Sequence, residues 1–132
     1  MNFRAQRALR ISCVAYFALA VATHVVAGIE GAALPPALQI WKTANPLPTF
    51  YSVGGSLAVL GSLVGTGGLI MHKRWAAYVH LASTVLWIAF GCSAGPVVSA
   101  GLSAPLVTAM FLVAGFIYGL AFFTEALNRT ED

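Results

Sequence analysis

Charge is what this chain lacks. Lys, Arg, Asp and Glu together make up 8% of its 132 residues. A soluble domain carries roughly 25%, so too few charges are present to cover a water-facing surface. Acidic residues are the scarcest, four in all, and none falls within a long apolar stretch. A proton-coupled transporter usually needs a carboxylate at membrane depth, so that class is weakened. Cysteine is limited to Cys13 and Cys92, with no CxxC spacing, which leaves redox and metal motifs of that type unsupported. No glycine-rich phosphate loop is present. Ser and Thr are plentiful, but none has a nearby acid–base partner that would mark a nucleophile.

What is present is apolar length. Hydrophobic residues make up 59% of the chain. They gather in four stretches, about Leu9–Ile29, Thr49–Met71, Ala76–Ala94 and Ala104–Thr124. A helix rises ~1.5 Å per residue, so about 20 residues cross a ~30 Å hydrocarbon core. The pattern predicts an all-α polytopic membrane protein, an antiparallel four-helix bundle forming a single domain over residues 1–132. The turn His72-Lys73-Arg74-Trp75 is short enough to make the second and third helices antiparallel neighbours.

The net charge of +3 is a matter of position. Arg4, Arg7 and Arg10 precede the first span, Lys73 and Arg74 follow the second, and Arg129 follows the fourth. Lys42 alone lies on the other side, in the first loop. The positive-inside rule therefore puts both termini in the cytoplasm, and a bacterial inner membrane is the expected location. A nucleic-acid partner is not expected. The basic start and apolar run also resemble a signal peptide, but the run exceeds the usual h-region of about 7–15 residues, so an uncleaved first helix is preferred. In the first loop, Leu34, Leu38 and Trp41 recur at helical spacing among prolines. Two readings stay open there, an amphipathic turn in the outer interface and an irregular proline-stiffened loop.

Orientation gives each side chain a depth. Cys13 and Cys92 fall on the order of 20 Å apart along the membrane normal, too far for a disulfide. His24 and His80 differ in depth by on the order of 15 Å, so they cannot share one haem iron or compact metal site. Tyr16 and Tyr118 lie near the level of His80, which shares a face with Ser83, Thr84 and Trp87. His80, Tyr118 and Tyr16 are thus the candidate cofactor-binding residues: a histidine or tyrosine can hydrogen-bond a quinone carbonyl while apolar walls take the ring. The plainer alternative is that these groups satisfy one another. Glu30, at the outer end of the first helix, is read as a helix cap. No catalytic residue and no metal ligand is expected.

Small residues mark packing faces. Gly54, Ala58, Gly61, Gly65 and Gly68 form one stripe on the second helix, and Gly115 and Gly119 make a GxxxG step on the fourth. A contact inside the bundle is preferred over self-association through Gly61, Gly65, Gly115 and Gly119, which stays open.

Basic residues before the first helix (Arg7-Ala-Leu-Arg10), a proline-containing outer loop, a glycine-rich second helix (Gly54-Gly-Ser-Leu-Ala-Val-Leu-Gly-Ser-Leu) and the turn His72-Lys-Arg-Trp-Ala-Ala77 lead into an alanine-rich third helix. This pattern resembles the DoxX-like group of small bacterial membrane proteins. The resemblance implies association with quinone-linked oxidoreductases in some members. It carries no catalytic residue across to this chain. The expected role is a non-catalytic accessory or structural subunit among other membrane protein subunits in the lipid bilayer, with no cofactor. A quinone-linked oxidoreductase component is the first alternative, and a small transporter acting as a dimer the second.

Overall fold

The computed structural model describes residues 3–44, 46, 48–93 and 101–127. Every regular element among them is helical: α1 (Phe3–Ala32), α2 (Pro36–Ala44), α3 (Thr49–Ile70), α4 (Arg74–Ser93), α5 (Ser103–Phe123) and a closing 3₁₀ turn, Glu125–Leu127. Helices α1, α3, α4 and α5 are long and apolar enough to cross a membrane. Their large hydrophobic side chains point outward in numbers that water would not tolerate. Phe17, Val21, Leu57, Leu60, Val85, Leu112 and Phe116 are all exposed. In lipid this is the stable arrangement, because the solvent is as apolar as the side chains.

The first helix departs from its expected limits. It starts at Phe3, about two turns before Leu9, and carries Arg4, Arg7 and Arg10 exposed on those turns. Arginine interrupts hydropathy but is a good helix former, so the helix outruns the apolar stretch. The first loop holds a nine-residue helix, α2, with Leu38, Ile40 and Trp41 exposed, in place of an irregular loop. Pro36 opens it, where a missing N–H costs nothing. The third loop, Gly95–Ser103, falls mostly outside the described residues, as does the tail from Asn128.

The four spanning helices form two close pairs, α3 with α4 and α1 with α5; contacts across the pairs are fewer. The α3–α4 turn is a Schellman stop. Lys73 N–H donates to Gly68 C=O at 2.9 Å and His72 N–H to Leu69 C=O at 3.0 Å, with His72 in the left-handed region at φ 57°. The glycine stripe of α3 faces α4 throughout. A Cβ on Gly65 would lie 2.7 Å from His80 Cβ and 2.8 Å from its Cα. On Gly61 it would strike Ser83 Oγ, on Gly54 the Phe90 ring, and on Gly68 the Ala76 Cβ. Gly61 and Gly65 are therefore covered within the chain.

The α1–α5 seam is built of side chains instead. Ala5, Leu9, Cys13 and Tyr16 meet Met110, Ala114, Ile117 and Ala121, each set at steps of three or four residues. Gly115 and Gly119 lie off this seam, with nothing within 4 Å of an added Cβ. The internal contact expected of them is made by the adjacent Ala114. Two clasps close the ends of this pair. Glu30 Oε1 accepts the N–H groups of Leu102 at 2.6 Å and Ser103 at 3.3 Å, so it caps α5 and not its own helix. Gly101 makes room for the carboxylate: its φ is +87°, and a Cβ there would sit 2.7 Å from Oε1. At the opposite end, Ala126 and Leu127 are buried in the cluster that holds Ala5, Leu9 and Cys13.

Candidate functional site

Two tyrosines join the pairs. Tyr16 of α1 reaches α3, its hydroxyl 2.9 Å from Ser62 Oγ. Tyr118 of α5 reaches α4, its hydroxyl 2.7 Å from His80 Nδ1 and 2.6 Å from Thr84 Oγ1. The Tyr16 ring also meets the His80 ring edge to face, with centroids 4.7 Å apart. The three residues selected from the sequence by depth, His80, Tyr118 and Tyr16, thus come together where the pairs meet.

His80 is 0% exposed. Its backbone lies against Gly65, which brings the imidazole to the centre of the molecule. Thr84 Oγ1 donates to His80 C=O at 3.0 Å. His80 Nδ1–H then donates to the Tyr118 oxygen, and Tyr118 donates to Thr84, which closes a ring of three hydrogen bonds. In the other arrangement Thr84 donates to Tyr118 and Tyr118 to Nδ1. Nε2 of His80 is buried with no hydrogen-bond partner in either case.

Beside this cluster lies a narrow, open cleft of about 50 Å³, lined by residues from all four spanning helices. Tyr16, Thr23 and His24 come from α1, Ser62 and Thr66 from α3, Ser83, Thr84 and Trp87 from α4, and Phe111 from α5. These positions fall near the middle of each span. Its exposed lining residues, Phe17, His24 and Leu63, sit on α1 and α3. The mouth therefore opens between those two helices, toward lipid. Trp87 and Phe111 form an aromatic wall, with centroids 6.2 Å apart.

Of the three residues selected from the sequence, Tyr16 alone lines the cleft. His80 and Tyr118 stand behind its wall and touch it through Thr84. Ser62 and Thr66 were not singled out by sequence reasoning. Their signal is weak, since membrane helices carry many hydroxyls bonded to their own backbone. His24 and Trp87 line the cleft together. Among the described residues no group of three His, Cys, Asp or Glu side chains is arranged to hold a metal ion. Cys13, buried, and Cys92, exposed, are both free. No protein-family model, no curated protein and no solved structure matches this chain.

Proposed function

We propose that this integral membrane protein binds a ring-bearing, membrane-dissolved molecule of the quinone class in the cleft between its helix pairs, and catalyses no reaction on it. The observation that supports this is the cleft's composition. Hydroxyls and an imidazole share it with Tyr16, Trp87 and Phe111, and its mouth opens toward lipid. A site with apolar walls and a few placed polar groups suits a flat ring carrying oxygen substituents. The DoxX-like pattern of the sequence agrees with this ligand class. The proposal places the protein in a bacterial inner membrane with both termini in the cytoplasm.

The test is direct. Protein purified in mild detergent is extracted and its lipids identified by mass spectrometry. A decyl-substituted benzoquinone is then titrated against the Trp87 fluorescence of a Trp41→Phe/Trp75→Phe variant in lipid nanodiscs. Saturable quenching is expected. No co-purified ring compound together with a linear, unsaturable response would sink the ligand reading. A reporter fused to the C-terminus should be active only on the cytoplasmic side.

A second reading has its own observation. Gly115 and Gly119 are open on the outer face of α5, beside Leu112 at 72% and Phe116 at 57% exposure. This face suits another membrane helix, as in an accessory subunit or a self-associated copy. Cysteine cross-linking from Gly115→Cys in native membranes should give a defined product. Its absence would leave this face to lipid.

A further inference from the structure

Helix α2 takes no part in the cleft or in either seam. It has nine residues, none of them buried. At ~1.5 Å per residue it measures about 14 Å, too short to cross a ~30 Å core. Its sequence has two sides. At ~3.6 residues per turn, Ala37, Leu38, Ile40, Trp41 and Ala44 share an arc of roughly 160°, and Gln39, Lys42 and Thr43 take the opposite side.

The polar side is turned back on the chain. Gln39 Nε2 donates to Leu34 C=O at 2.7 Å and to Ala32 C=O, on the last residue of α1, at 3.4 Å. Lys42 Nζ reaches the same end, 3.6 Å from where a Cβ on Gly31 would lie. A cation there complements the negative end of the α1 dipole. Thr43 Oγ1 donates to Gln39 C=O within α2 at 2.9 Å. The apolar side has no such cover: Leu38, Ile40 and Trp41 are 37%, 70% and 46% exposed.

Chain length fixes the depth of this exposed side. From Arg10 to Ala32 the α1 axis covers ~33 Å, about one hydrocarbon core. From Thr49 to Ile70, beside the Lys73-Arg74 turn, α3 covers the same ~33 Å. Both helices therefore leave the core where α2 joins them. The three residues between Ala32 and Pro36 reach only on the order of 10 Å, so α2 stays near that boundary. The exposed Val25 and Ile29 of α1, and Phe50 and Val53 of α3, continue its apolar surface along the chain in both directions.

We infer that α2 is an interfacial anchor: it lies in the headgroup–acyl boundary of the leaflet away from Arg4, Arg7 and Arg10, with Leu38, Ile40 and Trp41 among lipid chains. Phospholipid is the occupant of this face. At this depth water and acyl chains meet, which suits a helix with an apolar arc, a tryptophan and a lysine. The anchor ties the ends of α1 and α3, the helices that frame the cleft mouth, to one level of the bilayer.

The experiment makes Trp41 the only tryptophan, through Trp75→Phe and Trp87→Phe, in nanodiscs of phosphatidylcholine brominated near the headgroup or near the methyl end of the acyl chain. Headgroup-proximal bromine should quench Trp41 about twofold more strongly than deep bromine, as for a helix seated about 5–10 Å into the boundary. Aqueous acrylamide should quench it weakly. Strong acrylamide quenching without lipid quenching would put α2 in water, and protection from both would mean that a protein covers this face; either result overturns the inference. A spin label on Ile40→Cys, in a Cys13→Ser/Cys92→Ser background with all tryptophans kept, gives an independent reading. It should collide more with dissolved oxygen than with a water-soluble nickel complex, and the reverse order would overturn the inference. Ile40→Asp places a charge in the apolar arc and should cut the lipid quenching of Trp41 to about half or less. Unchanged quenching would show that this arc is not what holds α2 in the bilayer, and the inference would fall.

Discussion

Between α3 and α4 the backbones touch; along α1 and α5 side chains fill the gap. The first pair uses glycine at each contact, so a Cβ on Gly65 would meet the backbone of His80. The second uses Leu9, Cys13, Met110 and Ile117, and adds a clasp at each end. Lipid supplies no hydrophobic drive between helices, and van der Waals fit is the main resource. A glycine seam gains that fit from proximity but tolerates no added atoms. A side-chain seam tolerates exchange but needs help at its ends. Neither pair packs extensively on the other, and the tyrosine hydrogen bonds span the junction.

The sharpest way to break this contrast is to add one methyl group to each pair. Gly65→Ala should destabilise the protein by about 1–3 kcal/mol or more, since backbone and not a flexible side-chain end stands in the way. Gly115→Ala should shift stability by less than about 1 kcal/mol, in the stabilising direction. Unfolding titrations with an anionic detergent measure both. Equal losses would mean that α5 has a hidden partner.

Next in size comes the junction. Tyr118→Phe removes the hydroxyl that Nδ1 of His80 and Thr84 share, and should cost about 1–3 kcal/mol because Nδ1 is left buried and unpaired. Tyr16→Phe should cost only about 0.6 kcal/mol, typical of one polar bond between membrane helices. A reversed order would show that the α1–α3 bridge carries the junction. The smallest effect is expected from Glu30→Gln. It weakens a solvent-exposed cap and should show as faster amide exchange at Leu102 and Ser103, with global unfolding almost unchanged.

Depth was the legible quantity in this sequence. Apolar length and the positions of Arg10, Lys73 and Arg74 placed the spans closely enough to bring His80, Tyr16 and Tyr118 to one level. Direction around each helix axis was less legible. Gly61–Gly65 and Gly115–Gly119 are the same motif, yet one is covered and the other open. The difference lies in what faces them: Ser83 and the His80 backbone lie against the first, while Ala114 and Ile117 take the seam from the second. Glu30 was read as a cap, but its target, α5, is more than 70 residues away in the chain. Local spacing holds no record of such a contact. Thr23 and Thr66 of the lining were hidden for a related reason, since they look like ordinary hydroxyls bonded to their own helices.

The pairing of α1 with α5 also sets a timetable. Helices α3 and α4 are joined by a three-residue turn and can close as soon as both have left the ribosome. Helix α1 must wait while the roughly 70 residues before α5 are made, on the order of 4–14 s at about 5–20 residues per second. During that interval its Leu9–Cys13 face has no final partner in the bilayer, and only the Tyr16 hydroxyl can already reach Ser62 of α3. A chaperone or insertase that shelters a lone first helix would matter more to this protein than to a bundle of successive hairpins.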